Sequence, residues 1–278
     1  MTQKLLKVLL IGRGAREHAL AIKIAQSNLV QSIFVIPGNG GTQKSLRKTR
    51  NISGIDGNYF PKLLQLAKDL KIDLVVPGPD APIVNDIEDF FQEGVPYAPC
   101  TTGIKCFAPS REAAQIEGSK AFSKDFMARH KIPTAAYANF TDILKAKLYI
   151  EDCLEEDPSY RMVIKASGLA AGKGVVFPET IDEAFQALED TMPGDKFGGA
   201  GDEVVVEEFL EGEELSIHTF SDGVTFKSLP AAQDHKRVFD GDEGPNTGGM
   251  GCYAPVKAAT PSVMVESNAW SLSLPLMV

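Results

Sequence analysis

A chain of 278 residues, 44% hydrophobic, 23% charged and with a formal net charge of −9, has material for about two domains at roughly 150 residues each. The acidic balance argues against general nucleic-acid binding, leaving only a local basic patch open, and no apolar run reaches the roughly 18 residues of a membrane span. Four cysteines (Cys100, Cys106, Cys153, Cys252) form no C-x-x-C pair and four histidines (His18, His130, His218, His235) lack ligand spacing, so reduced thiols in a cytoplasmic protein are expected, with no disulfide framework and no metal ligand.

In chain order, Lys7–Ile11 reads as a buried strand. It runs straight into Gly12-Arg13-Gly14 with no small-residue cleavage site, so it is not taken for a signal peptide. Ala15–Gln26 reads as a helix, Ser32–Ile36 as a strand, Phe60–Leu70 as a helix, Asp73–Val76 as a strand and Asp86–Phe91 as a short helix. Strands that alternate with helices and end in Gly or Pro argue for an α/β fold with a parallel sheet. Residues 94–100 are echoed by 103–109, as in a local duplication of one strand. Ser110–His130 reads as a long helical stretch broken near Gly118-Ser119, and a domain boundary is expected near 110–135. Beyond it, Thr141–Cys153 and Thr180–Thr191 read as helices, the second with an N-cap signal in Thr180 and Glu183. Arg161–Lys165 and Val175–Phe177 read as strands flanking a loop. Glu203–Glu207 and Leu215–Phe220 read as two antiparallel strands about a turn at Phe209–Glu214.

Three Gly-rich turns end the three strands of the first half: Gly12–His18, Gly38–Thr42 and Gly78–Pro82. Each alone is a turn. Together they would line one crevice at the carboxyl edge of a parallel sheet, where a phosphorylated small molecule binds. The dinucleotide pattern G-x-G-x-x-G fails, because Glu17 takes its third glycine. In the second half, residues 163–175 read as strand, flexible loop, strand, and Lys165 and Lys173 supply charge suited to a polyphosphate. Lys173 is followed by Gly174, so the loop is not G-x-x-x-x-G-K-[ST]. Further on, the strand and connector Val206–Glu214 could offer backbone to an adenine edge and Glu214 to a ribose hydroxyl, although such a run is also a common solvated turn. The polar cluster Gln233–Arg237 and the Gly-rich segment 244–251 suit a carboxylate or phosphate substrate.

The ordered motifs GRGAREHAL, PGNGGT, GPDAP, AAQIEGSKAFSKDFM, KASGLAAGKGV, VVEEFLEGEELS, AAQDHKR and PNTGGMG resemble the phosphoribosylamine–glycine ligase family of ATP-grasp enzymes, over nearly all of residues 5–264. The resemblance implies an N-terminal Rossmann-like domain over 1–112, a linker helix over 113–135, an ATP-grasp nucleotide-binding subdomain over 136–214 and the start of a catalytic subdomain over 215–264. Residues 265–278 look like nothing in the family, so an incomplete ATP-grasp domain is expected.

The implied reaction joins glycine to 5-phosphoribosylamine with ATP in de novo purine biosynthesis, through a glycyl phosphate. The alternative is a non-catalytic fragment that binds nucleotide or a full-length partner. The implied ATP site comprises Lys120, Lys165, Ser167, Gly168, Gly172, Lys173, Gly174, Glu207, Glu208, Phe209, Leu210 and Glu214. The implied substrate residues are Gly12, Gly14, Arg16, Glu17, His18, Gly38, Asn39, Gly40, Asp80, Asn246, Thr247, Gly248 and Gly249, with Asp234, His235, Lys236 and Arg237 as the catalytic cluster. Mg²⁺ is implied as well, with its usual ligands expected beyond the end of this sequence. The family pattern departs at three places: Arg13 and Ala15 stand where Ser and Gly are usual, and Asp80 where Glu is usual.

Overall fold

The computed structural model describes residues 4–44, 47–95, 98–99, 103–170, 174–192, 198–221, 224–241 and 243–273. The chain divides into two compact units, residues 1–117 and 118–278.

The first unit is built on β1 (Leu6–Gly12), α1 (Ala15–Ala25), β2 (Val30–Pro37), α2 (Gly40–Lys44), β3 (Thr49–Asn51), α3 (Phe60–Leu70), β4 (Leu74–Pro77), α4 (Asp80–Val84), α5 (Ile87–Glu93), β5 (Gly94–Val95), β6 (Ala98–Pro99), β7 (Lys105–Cys106) and α6 (Arg111–Gly118). The parallel sheet runs β3-β2-β1-β4-β7. Side chains alternate across a strand, and β1 buries both of its faces. Leu9 and Ile11 join Phe60, Leu63, Leu64 and Ala67 of α3 and Ile87 and Phe91 of α5 in one core. Val8 and Leu10 join Ala21 of α1 and Ile33 and Val35 of β2 in the other. The apolar spacing of Phe60, Leu63, Leu64 and Ala67 forms the helical stripe that the sequence announces. The duplicated segment separates in function: its second copy supplies β7 to the main sheet, and its first gives the small antiparallel pair β5–β6. Burial, followed by the nearby Glu88 charge, pushes the Cys106 thiol up to about 12.

The second unit begins with α7 (Lys120–Arg129), β8 (Tyr137–Phe140), α8 (Ile143–Glu156), β9 (Met162–Ala166), β10 (Val175–Val176), α9 (Ile181–Thr191) and β11 (Val204–Glu208). The break near Gly118-Ser119 is present, and Ser119 caps α7 by accepting from Phe122 N at 3.1 Å. Thr180 likewise caps α9, accepting from Glu183 N at 3.2 Å. The sheet is antiparallel in the order β10-β9-β11-β8. Its even-numbered side chains, Met162, Ile164, Val204 and Val206, pack on Ala146 and Ile150 of α8 and Ala184, Ala187 and Leu188 of α9.

Beyond this sheet, β12 (Thr219–Ser221), β13 (Phe226–Ser228), β14 (Gln233–Asp234), β15 (Arg237–Phe239), β16 (Glu243–Asn246) and β17 (Cys252–Tyr253) form the pairs β12–β13, β14–β17 and β15–β16, followed by α10 (Pro261–Ser273). This corrects the hairpin expected between Glu203–Glu207 and Leu215–Phe220. Both edges of β11 are occupied, by β8 and β9. Ser216 instead bridges Ala232, and Thr219–Ser221 pairs with β13.

Candidate functional site

In the first unit the expected crevice is assembled from strand ends. Parallel register sets Gly12 beside Pro37 and Ile11 beside Pro77. Gly38 N donates to Gly12 O at 3.1 Å, and Gly78 N donates to Ile11 O at 2.9 Å, so the three turns start side by side. Glu17 is their shared centre. It is buried, and its Oε2 accepts from Gly14 N at 2.6 Å at the start of α1. A Cβ on Gly12 or Gly78 would run into the Glu17 side chain, and Gly12 also has φ of +128°. Glycine at both places is therefore a packing requirement set by Glu17.

Asn39 ties the first two turns together. Its Nδ2 donates to the carbonyls of Arg13 and Gly14 at 3.0 and 3.1 Å, while its Oδ1 accepts from Gly41 N and Thr42 N at 2.8 and 3.0 Å. Arg16 ties the first to the third, donating to Gly78 O at 2.7 Å and pairing with Asp80 at 3.0 Å. Gly40 opens α2 in the same turn. The ring of His18 lies where a Cβ on Gly41 would sit, and its Nε2 is buried with no hydrogen-bond partner. The sequence reading passed over Asn51, whose Nδ2 donates to Asn39 O and whose Oδ1 accepts from Thr42 Oγ1, both at 2.8 Å. Its strand is too short to announce itself.

In the second unit the odd-numbered side chains of β9 and β11 face away from α8 and α9, and this face carries the charge. Glu207 Oε2 accepts from two ammonium groups, Lys165 at 2.9 Å and Lys124 of α7 at 2.8 Å. Lys124 is buried and also donates to Thr134 Oγ1 at 2.7 Å. The sequence reading passed it over. The available signal was its spacing from Lys120, one helical turn away and therefore on the same face of α7.

Lys120 reaches the root of the Gly-rich loop, where its Nζ donates to the carbonyls of Ala166 and Gly168 at 3.0 and 3.1 Å. Ser167 is locked to the start of α7: its Oγ accepts from Ala121 N at 3.2 Å and lies 3.1 Å from Ser119 Oγ. Gly174 O accepts from Ala166 N at 2.8 Å and closes the loop; of the two expected phosphate-side lysines, Lys120 bonds its base, while Lys165, the residue before Ala166, turns its ammonium to Glu207. Gly172 and Lys173 lie outside the described residues.

The connector after β11 starts with Glu208 and Phe209, whose N–H groups donate to Ala136 O and Arg161 O at 2.8 and 2.9 Å. The Arg161 guanidinium stacks 4.0 Å from the Phe209 ring centroid, and Phe177 meets that ring edge-on at 5.9 Å. Leu210 is exposed next to this aromatic pair. The expected polar motifs come together. Arg237 pairs in register with Asn246, and Thr247 N donates to Lys236 O at 2.7 Å. Gly249 N donates to Thr247 Oγ1 at 3.0 Å, which shapes the 247–249 turn around Gly248. His235 N donates to Gly251 O at 2.9 Å, and the imidazole stacks on Tyr253 at 5.7 Å. Lys236 bonds to Glu214 and lies 3.9 Å from Asp234, which brings Glu214 to the polar cluster. Among the described residues no group of three or more His, Cys, Asp or Glu is arranged to hold a metal ion.

Two family models cover the chain in sequence: "Phosphoribosylglycinamide synthetase, N domain" over residues 6–117 and "Phosphoribosylglycinamide synthetase, ATP-grasp (A) domain" over residues 118–270. A bifunctional purine biosynthetic protein of Schizosaccharomyces pombe is 52% identical over 260 residues, 92% of this chain and 31% of that protein. Phosphoribosylamine–glycine ligase of Escherichia coli is 48% identical over 258 residues, 93% of this chain and 57% of that protein. The chain thus spans from under a third to somewhat over half of the length of these relatives. The crystal structure of phosphoribosylamine–glycine ligase from Thermotoga maritima superposes with a TM-score of 0.73 at 30% identity, covering 96% of this chain and 60% of that one.

Proposed function

The chain belongs to the phosphoribosylglycinamide synthetase family, and from that premise we propose that it serves the ATP-dependent ligation of glycine to 5-phosphoribosylamine, giving glycinamide ribonucleotide, ADP and phosphate in purine biosynthesis. In this reading a glycine carboxylate oxygen takes the γ-phosphoryl group of ATP to form glycyl phosphate. The amine of phosphoribosylamine then attacks the acyl carbon, loses a proton and expels phosphate. Such phosphoryl transfer is catalysed mainly by positioning and charge.

The observation that carries the proposal is the pair of Lys120, whose ammonium bonds the root of the Gly-rich loop, and Lys165, the β9 residue next to that root, whose ammonium is held by Glu207. There the lysines would hold the triphosphate while loop backbone N–H groups wrap it. The 207–210 connector would take the adenine and Glu214 the ribose. The crevice of Gly12, Gly14, Glu17, His18, Gly38 and Asn39 would bind the phosphoribosylamine. The cluster 234–237 with 246–249 would orient glycine and the acyl phosphate. The family implies magnesium, and among the described residues no group of three or more His, Cys, Asp or Glu gathers to hold it. No helix among the described residues is long and apolar enough to cross a membrane.

The test is ADP release by the purified chain supplied with ATP, magnesium, glycine and freshly made phosphoribosylamine. Release that requires both co-substrates is expected. A folded chain that binds ATP but releases no ADP under these conditions would overturn the catalytic proposal.

A further inference from the structure

The Glu207 carboxylate has one more cation than it needs. Two ammonium groups bond the same oxygen, Oε2, at 2.8 and 2.9 Å, inside a site where the Glu207 side chain is 6% exposed. The two lysines are not equivalent. Lys124 is 9% exposed and is anchored at 2.7 Å to Thr134 Oγ1 and over the Tyr137 ring at 5.7 Å. Lys165 is 27% exposed and stands next to the root of the Gly-rich loop. Tyr137 pairs with Glu207 across β8 and β11, and its hydroxyl is turned to Asp125 at 2.9 Å, so the groups that meet Glu207 are Lys124 from α7, Lys165 from β9 and Tyr137 from β8.

We propose that Lys124 is a positioning residue for the nucleotide: it keeps Glu207 charged and in place when Lys165 leaves that carboxylate for the ligand's phosphates. This rests on the nucleotide site proposed above. With a single cation, moving Lys165 onto a phosphate would strand a buried carboxylate, which must then bear the desolvation penalty of an unpaired charge or take up a proton. The second cation removes that cost, so Lys165 can exchange partners without a change of protonation at Glu207.

The test is isothermal titration calorimetry with ADP as the probe, at one pH in two buffers of different ionisation enthalpy, which counts the protons exchanged on binding. Lys124→Met is expected to bind ADP about 10–100-fold more weakly than the parent, the cost of leaving a buried charged group unsatisfied. It is expected to take up about one more proton than the parent. Lys124→Arg restores both values towards the parent, because its guanidinium supplies the same charge. The double variant Lys124→Met/Glu207→Gln, which removes the stranded charge, is expected to bind ADP as Glu207→Gln alone does, with no extra proton. It also serves if Lys124→Met alone does not fold. Parent-like affinity and proton count in folded Lys124→Met overturn the assignment. So does weakened binding without the extra proton, together with a double variant that binds more weakly than Glu207→Gln by the same factor, because that pattern belongs to a merely structural lysine. A parent chain that does not bind ADP overturns the nucleotide site itself, and the assignment falls with it.

Discussion

The two units build their sites from different materials. In the first, the candidate site is backbone: three strand ends with glycine where Glu17 packs, and turn amides held by Asn39. In the second, it is a set of side-chain charges on one face of an antiparallel sheet, gathered around Glu207. The first site is thus limited by volume and φ, the second by charge balance. A methyl group should disturb the first more than a charge change on its rim, and the second should respond the other way round.

The largest effect is expected from Glu207→Ala. It leaves Lys124 buried beside Lys165 with no carboxylate, and breaking a buried pair by removing one partner costs about 3–5 kcal/mol. Urea unfolding of the second unit should show the loss. Double removal in Glu207→Leu/Lys124→Met should be milder than the single change, because well-packed apolar replacements of buried ions are often neutral. If Glu207→Ala unfolds at the parent's urea midpoint, the charge-balance description of the second unit is wrong.

The matching probe of the first unit is Gly12→Ala. The new methyl meets the Glu17 side chain at a backbone position with φ of +128°, and overpacking plus strain should cost about 2–4 kcal/mol. Trimming the obstacle as well, in Gly12→Ala/Glu17→Ala, tests the cause. The two changes should couple by about 0.5–3 kcal/mol, since they share one space. Strict additivity would show that the φ requirement alone holds the glycine. Glu17→Ala by itself should cost about 0.5–2 kcal/mol, the loss of a helix-start hydrogen bond. Thermal unfolding followed by far-UV circular dichroism ranks the three.

The same contrast explains what could be read from the sequence. The strands of the first unit announce themselves because β1 is buried on both faces over Val8–Ile11, an unbroken apolar run ending in glycine. The three turns could be grouped in advance because parallel strands bring their carboxyl ends to one edge. β3 could not be read: Thr49–Asn51 has no apolar run and exists as a strand because β2 offers it an edge. β8 was missed for the same reason, its four residues all being half-buried and mixed in character. Leu215–Phe220 misled because its pattern suits a strand, while pairing depends on which edges are free, and β11 has none to offer. In the second unit Lys120 and Lys165 could be named from a motif resemblance. Lys124 offered only its one-turn spacing from Lys120, because its burial is decided by a carboxylate 83 positions away in the chain.

A smaller effect sharpens the comparison from the opposite side, by placing a charge in the apolar core of the first unit. Glu88 of α5 is buried, and burial holds its carboxyl above the usual carboxylate range; the adjacent Asp89 adds to this, while the hydrogen bond from Gln92 works against it. A carboxyl whose folded value is raised binds its proton more tightly in the folded state than in the unfolded one. Its ionised form therefore costs stability at neutral pH, and the cost fades as pH falls through the raised value and is gone below the unfolded value near 4.5. Glu88→Gln should accordingly raise the melting temperature at neutral pH by a few degrees, on the order of 1 kcal/mol. The gain should shrink on acidification and vanish below about pH 4. Melting curves of parent and variant across that range decide the matter. A gain that stays constant with pH would assign it to packing against Gln92. A loss at neutral pH would mean that the ionised carboxylate stabilises α5, so the first unit would tolerate buried charge as the second does.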